Sequence, residues 1–202
     1  MTSQGPSYGV LGEDDSDRYT IYAILKNLTG DPNLSCAGKG FGGCGNLINQ
    51  GADILKGLHA KGCRRFVICA DSDGQDPEVM RLKISQRVVG PSGVRDGYCV
   101  VIPVHMIEAW ILADLDQAVP VWKGETTKWR PKEVANPEAI PYAKEHLKRI
   151  GREGGSRPRY DPENDNAIIA AHLDLVRVAK KCPSFEPLRE FVQGPRPKMG
   201  KI

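Results

Sequence analysis

The stretch Val10–Leu25, VLGEDDSDRYTIYAIL, places four carboxylates (Glu13, Asp14, Asp15 and Asp17) between an apolar run and a helical one. Acids in a first helical turn suit the positive end of the macrodipole, and Ser16 is a good N-cap. One or two acids meet that need. Four repel one another, and a cation that gathers them is the sharper explanation. A second acidic pair, Asp71 and Asp73 in ICADSDG, follows the clearest apolar run of the chain. DSDG is also good turn chemistry, and aspartates cap helices. Oxygen-only ligands at two such positions suit Mg²⁺ or Mn²⁺, which keep part of their water and take a phosphate oxygen as a further ligand. Glu13, Asp71 and Asp73 are thus candidate metal ligands, with Asp17 one helical turn beyond Glu13 as a fourth. A solvated helix start accounts for Asp14 and Asp15. Glu108, after a later apolar run, reads equally as a site acid and as a helix-start acid. His105 is a proton donor or a strand-end histidine satisfied by backbone, the latter being the commoner case.

For these acids to meet, the chain must bring strand ends together. YGVLG reads as a short strand and Ser16–Leu28 as a helix with a packing stripe of Ile21, Ile24, Leu25 and Leu28. NLSCA (33–37) is a weak second strand, followed by the glycine loop GKGFGGCGN and a helix over Leu47–Ala60. CRRFVICA is a strand ending at Asp71, and Asp76-Pro77 caps a helix running to about Val88. GPSGVRDG is a loop, YCVVIPV a buried strand and 105–118 a helix. Four alternations of strand and helix predict an α/β fold: a four-stranded parallel sheet with right-handed crossovers and helices on both faces. In such sheets ligands bind beyond the carboxyl ends of the strands, where Glu13, Asp71 and Asp73 stand.

Beyond Pro120 the pattern becomes helical and basic: a Trp/Pro/Lys-rich connection, helices over 137–150, 163–182 and 187–192, and a mobile tail from Gly194. The expected organisation is an α/β core over 1–120 with a helical extension over 121–202 packed on it. Residues 1–120 hold 11 Lys/Arg against 14 Asp/Glu, whereas 121–202 hold 17 against 11. An acidic site beside a basic surface suits a polyanionic substrate, although basic residues also simply solvate outer helix faces. Between Lys144 and Arg159 the chain carries Lys144, Lys148, Arg149, Arg152, Arg157 and Arg159 against two acids. That density is what a phosphate-tracking, nucleic-acid-binding surface requires.

The remaining composition excludes several classes. With 40% hydrophobic and 26% charged residues the chain is an ordinary globule rather than a disordered segment. No apolar run approaches the roughly 20 residues of a membrane span, and the first ten residues lack the basic and apolar regions of a signal peptide. A cytoplasmic protein without a membrane partner is expected. The six cysteines show no CxxC spacing, which argues against a zinc site or a disulfide scaffold.

An acid after the first strand, a glycine-bearing segment after the second and DxD after the third resemble the Toprim domain of topoisomerases, primases and overcoming-lysogenization-defect nucleases. Glu13 and Asp17 are similar to the paired acids of the nuclease branch, with Asp in place of the usual second Glu. Asp14 stands where many members have glycine. IPVHMIEAWILAD and KKCPSFEPL resemble the stand-alone Toprim-like family DUF4276. The resemblance implies metal-dependent phosphodiester hydrolysis. Asp71 and Asp73 would hold the metal, Glu13 would serve as general acid/base or second ligand, and Glu108 would approach the same rim. Lys144 would lean into the site, as basic groups in the nuclease relatives do. It also implies a separate ATPase partner, for instance in a phage-defence module, since the 202 residues contain no GxxxxGKS/T loop.

Three alternatives stand beside this reading. GEDDSDR also looks like the start of a receiver domain, with Asp71 as phosphoacceptor, but the segment after VVIPV lacks the lysine such a domain needs. Gly38, Gly40 and Gly43 match GxGxxG, yet they follow the second strand and Asp71 lies too far on for a dinucleotide site. That segment reads instead as a loop whose backbone could approach a phosphate. The third alternative is a catalytically silent regulatory or nucleic-acid-binding subunit that keeps only the shape of the site.

Overall fold

Strands β1 (Tyr8–Gly12), β2 (Cys36–Gly40), β3 (Arg65–Cys69) and β4 (Tyr98–Val101) lie parallel in the order β2-β1-β3-β4. The computed structural model describes residues 7–124, 126–153 and 159–194. The order reverses between β1 and β3, whose pairing sets Leu11 beside Ile68. Their carboxyl ends therefore flank one crevice, the place where open parallel sheets bind ligands.

Side chains alternate across the sheet with the period of two that strands impose. Tyr8, Val10, Val67, Cys69, Cys99 and Val101 enter one core; Leu11, Phe66, Ile68, Val100 and Ile102 enter the other. Helices α2 (Cys44–Ala60) and α3 (Pro77–Ile84) cover the second face. From α3 the chain continues through a π-helical turn, Ser85–Val89, into the single-turn α4 (Gly90–Ser92). The first face is covered by α1 (Asp15–Thr29) and by everything after β4: α5 (Glu108–Leu112), α6 (Leu115–Lys123), α7 (Ala143–Glu153), α8 (Pro162–Ala170), α9 (Leu175–Lys181) and α10 (Glu186–Gln193). Ile21 and Ile24 of α1 share this core with Trp110, Phe185 and Leu188, so residues on both sides of 120 bury a common interior. Position 120 itself lies inside α6.

The α/β class and the four-stranded parallel sheet agree with the sequence reading; several boundaries do not. The second strand runs over 36–40 rather than 33–37, because Gly38 pairs with Val10 so closely that a Cβ there would sit 1.7 Å from the Val10 carbonyl oxygen. The first helix is capped by Asp14, not Ser16. Asp14 accepts from the Asp17 N–H at 2.9 Å, and Asp17 accepts from the Asp14 N–H at 3.2 Å. This capping box satisfies two orphan donors together. The helix expected over 105–118 is divided into α5 and α6 at Asp114, a buried carboxylate that receives Arg177 at 3.1 Å and the Asp174 N–H at 2.8 Å. The helix expected over 163–182 is likewise two, because Asp174 caps α9. Over 137–150 a 3-10 turn (Pro137–Ala139) precedes α7, with Pro141 between them. The tail after Gly194 and residue Arg157 lie outside the described residues. Among the described residues no helix is long and apolar enough to cross a membrane.

Phe185 is fully buried and meets Trp110 edge to face at 5.1 Å. Truncating it would leave a cavity between the sheet and the C-terminal helices. Phe185→Ala is expected to cost about 3–5 kcal/mol in urea unfolding, in one transition followed alike by circular dichroism and tryptophan fluorescence.

Candidate active site

Glu13 follows the last residue of β1, and Asp71 and Asp73 follow β3, on strands that are hydrogen-bonded neighbours. The Glu13 carbonyl accepts from the Phe41 N–H at 3.1 Å and from the Gly43 N–H at 2.9 Å, which ties the β1–α1 turn to the glycine loop. Gly40 allows the same approach, since a Cβ there would lie 2.4 Å from the Asp14 backbone. Two of the loop's N–H groups and Gly38 and Gly40 are thus used in holding the chain to itself.

The β3–α3 loop is held to the segment after β4. Ser72 donates its N–H to the Pro103 carbonyl and accepts the His105 N–H at 2.8 Å, while Asp73 donates its N–H to the His105 carbonyl. Both Asp73 (φ 47°) and His105 (φ 61°) are left-handed, a conformation that costs a non-glycine residue of order 1 kcal/mol and persists where neighbours enforce it. The backbone N–H of His105 is satisfied by the Ser72 hydroxyl. Asp71 accepts the Ile107 N–H at 3.0 Å, which fixes one carboxylate oxygen at the root of the crevice.

Burial and like charge govern the site. Asp71 has its pKa raised well above the ordinary value, first by burial and then by Asp17, Glu108, Glu13 and Asp73. Asp17 is raised well above it by burial, then by Asp14 and Glu108. Glu13 is raised by burial and by Asp73, and its Oε2 is buried without a hydrogen-bond partner. Glu108, only 2% exposed, lies close enough to act on both Asp17 and Asp71. Lys144 from α7 brings its Nζ within 3.6 Å of Glu108. Burial acts to lower the Lys144 pKa, but the pull of Glu108, Asp14, Asp17 and Asp71 outweighs it and the pKa is raised.

The structure therefore brings Glu13, Asp17, Asp71, Asp73, Glu108 and Lys144 to one end of the sheet. Asp14 caps its helix, and Asp15 pairs with Arg18 at 2.9 Å. Among the described residues no three His, Cys, Asp or Glu side chains already stand as ligands of a single ion. The donor set nonetheless fits a hard cation: it is all oxygen, it carries an unpartnered buried carboxylate atom, and the pKa values of Glu13, Asp17 and Asp71 are raised first by burial and then by neighbouring acids. Mg²⁺ keeps several waters and needs only one or two carboxylates directly.

Comparison with known families adds one finding. The model of the domain of unknown function DUF4276 matches residues 52–193, well over half of the chain. The chain belongs to the DUF4276 family. Neither a curated protein nor a solved structure matches it. The segment shared with DUF4276 contains Asp71, Asp73, Glu108 and Lys144 and begins after Glu13 and Asp17.

The basic residues divide. Lys148 pairs with Glu145 at 2.7 Å, and Arg149 meets His146 at 3.2 Å and Glu153 at 4.0 Å, all on α7. Arg152 and Arg159 are exposed. Lys144, Lys148 and Arg152 follow one another at four-residue spacing, so they form a stripe that leads away from the acids along α7.

Sequence reasoning missed Asn166. Fully buried on α8, it donates to Glu108 Oε1 and to Ser16 Oγ, each at 3.2 Å, and accepts from the Tyr160 hydroxyl. Ser16 donates in turn to the Pro162 carbonyl at 2.8 Å. Nothing local distinguishes Asn166 from Asn164, which only bonds Asp161; the difference arises when α8 docks on α1.

A buried acid with a raised folded-state pKa still holds a proton where the unfolded chain has lost it. Folding then takes up protons, so stability falls as pH rises from the ordinary carboxylate range, about 4, toward the raised value. Asp71→Asn removes this penalty while its amide oxygen can still accept the Ile107 N–H. Relative to wild type without added metal, the variant is expected to gain stability as pH rises through the range above the ordinary carboxylate value of about 4, read from urea midpoints. A constant difference across that range would contradict the repulsion described. Asn166→Ala, which strips Glu108 and Tyr160 of a buried partner, is expected to cost about 1–3 kcal/mol in the same measurement.

Proposed function

We propose that this DUF4276 chain hydrolyses nucleic-acid phosphodiesters with Mg²⁺ or Mn²⁺, in the manner of a Toprim-type nuclease. The observation that carries the reading is the convergence of mutually repelling acids from β1, β3 and the segment after β4 at the switch point of a parallel sheet, with one lysine at their edge. Glu13, Asp71 and Asp73 would hold the metal, with Asp17 and Glu108 behind them. When bound, the metal supplies an activated water and neutralises charge on the phosphate.

The chain's own residues do the rest. Glu13 Oε2, lacking a hydrogen-bond partner, is free to take a proton from an attacking water. Asp71, pinned by the Ile107 N–H, keeps its second oxygen directed by a fixed first one. Lys144 faces Glu108 at 3.6 Å, beyond a tight ion pair, and can turn its charge to a phosphate oxygen. Lys148, Arg152 and Arg159 continue that positive charge for the flanking backbone. An ATPase supplied by another protein would decide when the site acts.

The test is cleavage of plasmid, linear duplex and single-stranded substrates in Mg²⁺ and in Mn²⁺, by wild type and by Asp71→Ala with Asp73→Ala. Wild type is expected to cut and the double variant to fall to background. Cleavage by both proteins would remove these aspartates from the mechanism. Cleavage by neither, with an ATPase partner present, would leave the DUF4276 domain as a silent binding subunit.

A further inference from the structure

Helix α1 carries two stripes. Ile21, Ile24 and Leu25 enter the core, and a second row, Tyr19, Tyr22 and Lys26, follows the i, i+3, i+7 spacing of one helix face, with Tyr19 and Lys26 exposed and Tyr22 half-buried. Beside that row lies α8, and between them runs an open groove of about 740 Å³ lined by Tyr19, Tyr22, Lys26, Glu163, Ala167 and Ala171. The volume is that of a small-molecule site rather than a surface dimple. Tyr22 packs partly against the core, whereas Tyr19 remains 49% exposed.

The aromatic wall is prearranged. The Arg18 guanidinium lies 4.0 Å over the Tyr19 ring and 5.4 Å from the Tyr22 ring, and donates to the Tyr22 hydroxyl at 3.4 Å. Asp15 holds the same guanidinium at 2.9 Å. Arg18 is itself only 14% exposed, so it backs one face of Tyr19 and leaves the other side to solvent. The two tyrosine rings meet edge to face at 5.9 Å and form a corner. Lys26 sits roughly 10 Å further along the helix axis, with the alanines of α8 as a flat opposite wall. Tyr19 stands one turn from Asp15, the exposed partner of Arg18, near the α1 N-terminus that follows β1.

We infer that this groove receives an unstacked nucleotide of a single-stranded nucleic acid whose backbone continues to the acidic crevice. The base stacks on the open face of Tyr19 in the corner made with Tyr22, and a phosphate is met by Lys26. Glu163 offers an acceptor for a base N–H, such as the N3–H of thymine or uracil. A duplex, with its bases paired and stacked, cannot fill the groove, so the substrate class is a single strand or a frayed end. The inference rests on the proposed nucleic-acid function, but its test does not require cleavage.

Binding is measured in EDTA by fluorescence anisotropy, using labelled oligothymidylate, oligouridylate and a blunt duplex of the same length. Single strands are expected to bind more tightly than the duplex, and the two single strands separate DNA from RNA. Tyr19→Ala should weaken single-strand binding by roughly five- to a hundred-fold, the range that one base–aromatic stack is worth, with Tyr19→Phe near wild type. Lys26→Gln should reduce the salt slope by about one phosphate contact. Equal binding of single strand and duplex, with Tyr19→Ala unchanged, overturns the inference even if the protein proves to be a nuclease. Tyr19-dependent single-strand binding sustains it even if no cleavage is found.

Discussion

Carboxylates buried side by side at the end of two neighbouring strands are the constraint on which the rest of this structure turns. Asp17, Asp71 and Glu108 lie where water is scarce; Asp17 and Glu108 both raise the pKa of Asp71, and Glu108 raises that of Asp17. Left to themselves, such groups separate or pick up protons. Here hydrogen bonds prevent separation: Asp17 is locked in a capping box, Asp71 by the Ile107 N–H, and Glu108 by the Asn166 side-chain amide. The repulsion is therefore kept inside the fold, as an affinity for protons or for a cation.

The extension beyond residue 120 is what encloses that site. It supplies Lys144 from α7 and Asn166 from α8, and its aromatic residues share the core with α1 and the strands. A four-stranded sheet with its crossover helices alone would leave Glu108 and Asp17 open to water. The α7 and α8 segments bury them, and burial is the first cause of the raised pKa of Asp17 and Asp71. Structure and chemistry are thus tied: docking the C-terminal helices creates the electrostatic character of the crevice.

Much of this was legible from residue types. Strand ends rich in acid, helices with four-residue periodicity and Asp76-Pro77 as a cap led to the parallel sheet and to Glu13, Asp71 and Asp73. The sequence misplaced features decided by long-range contact. The start of β2 depends on Gly38 fitting against Val10, and the break between α5 and α6 depends on Asp114 meeting Arg177 from 63 residues away. Ser16 is a plausible cap by composition, but Asp14 closes the box and frees Ser16 to join Asn166. Asn166 itself carries no local signal, because its role appears only when α8 lies on α1. The packing stripe of α1 was visible as spacing, and Ile21, Ile24 and Leu25 are buried as that spacing implies.

The most direct test of the account is a calorimetric titration of Mn²⁺ into the protein near neutral pH, repeated in two buffers of different ionisation enthalpy. Metal ligands must be deprotonated to bind, so a cluster that stores protons has to release them. The account predicts saturable binding whose apparent heat differs between the buffers by the signature of proton release, and its loss in Asp71→Asn. Absence of binding, or binding with the same heat in both buffers, would contradict the claim that these buried acids form a cation site.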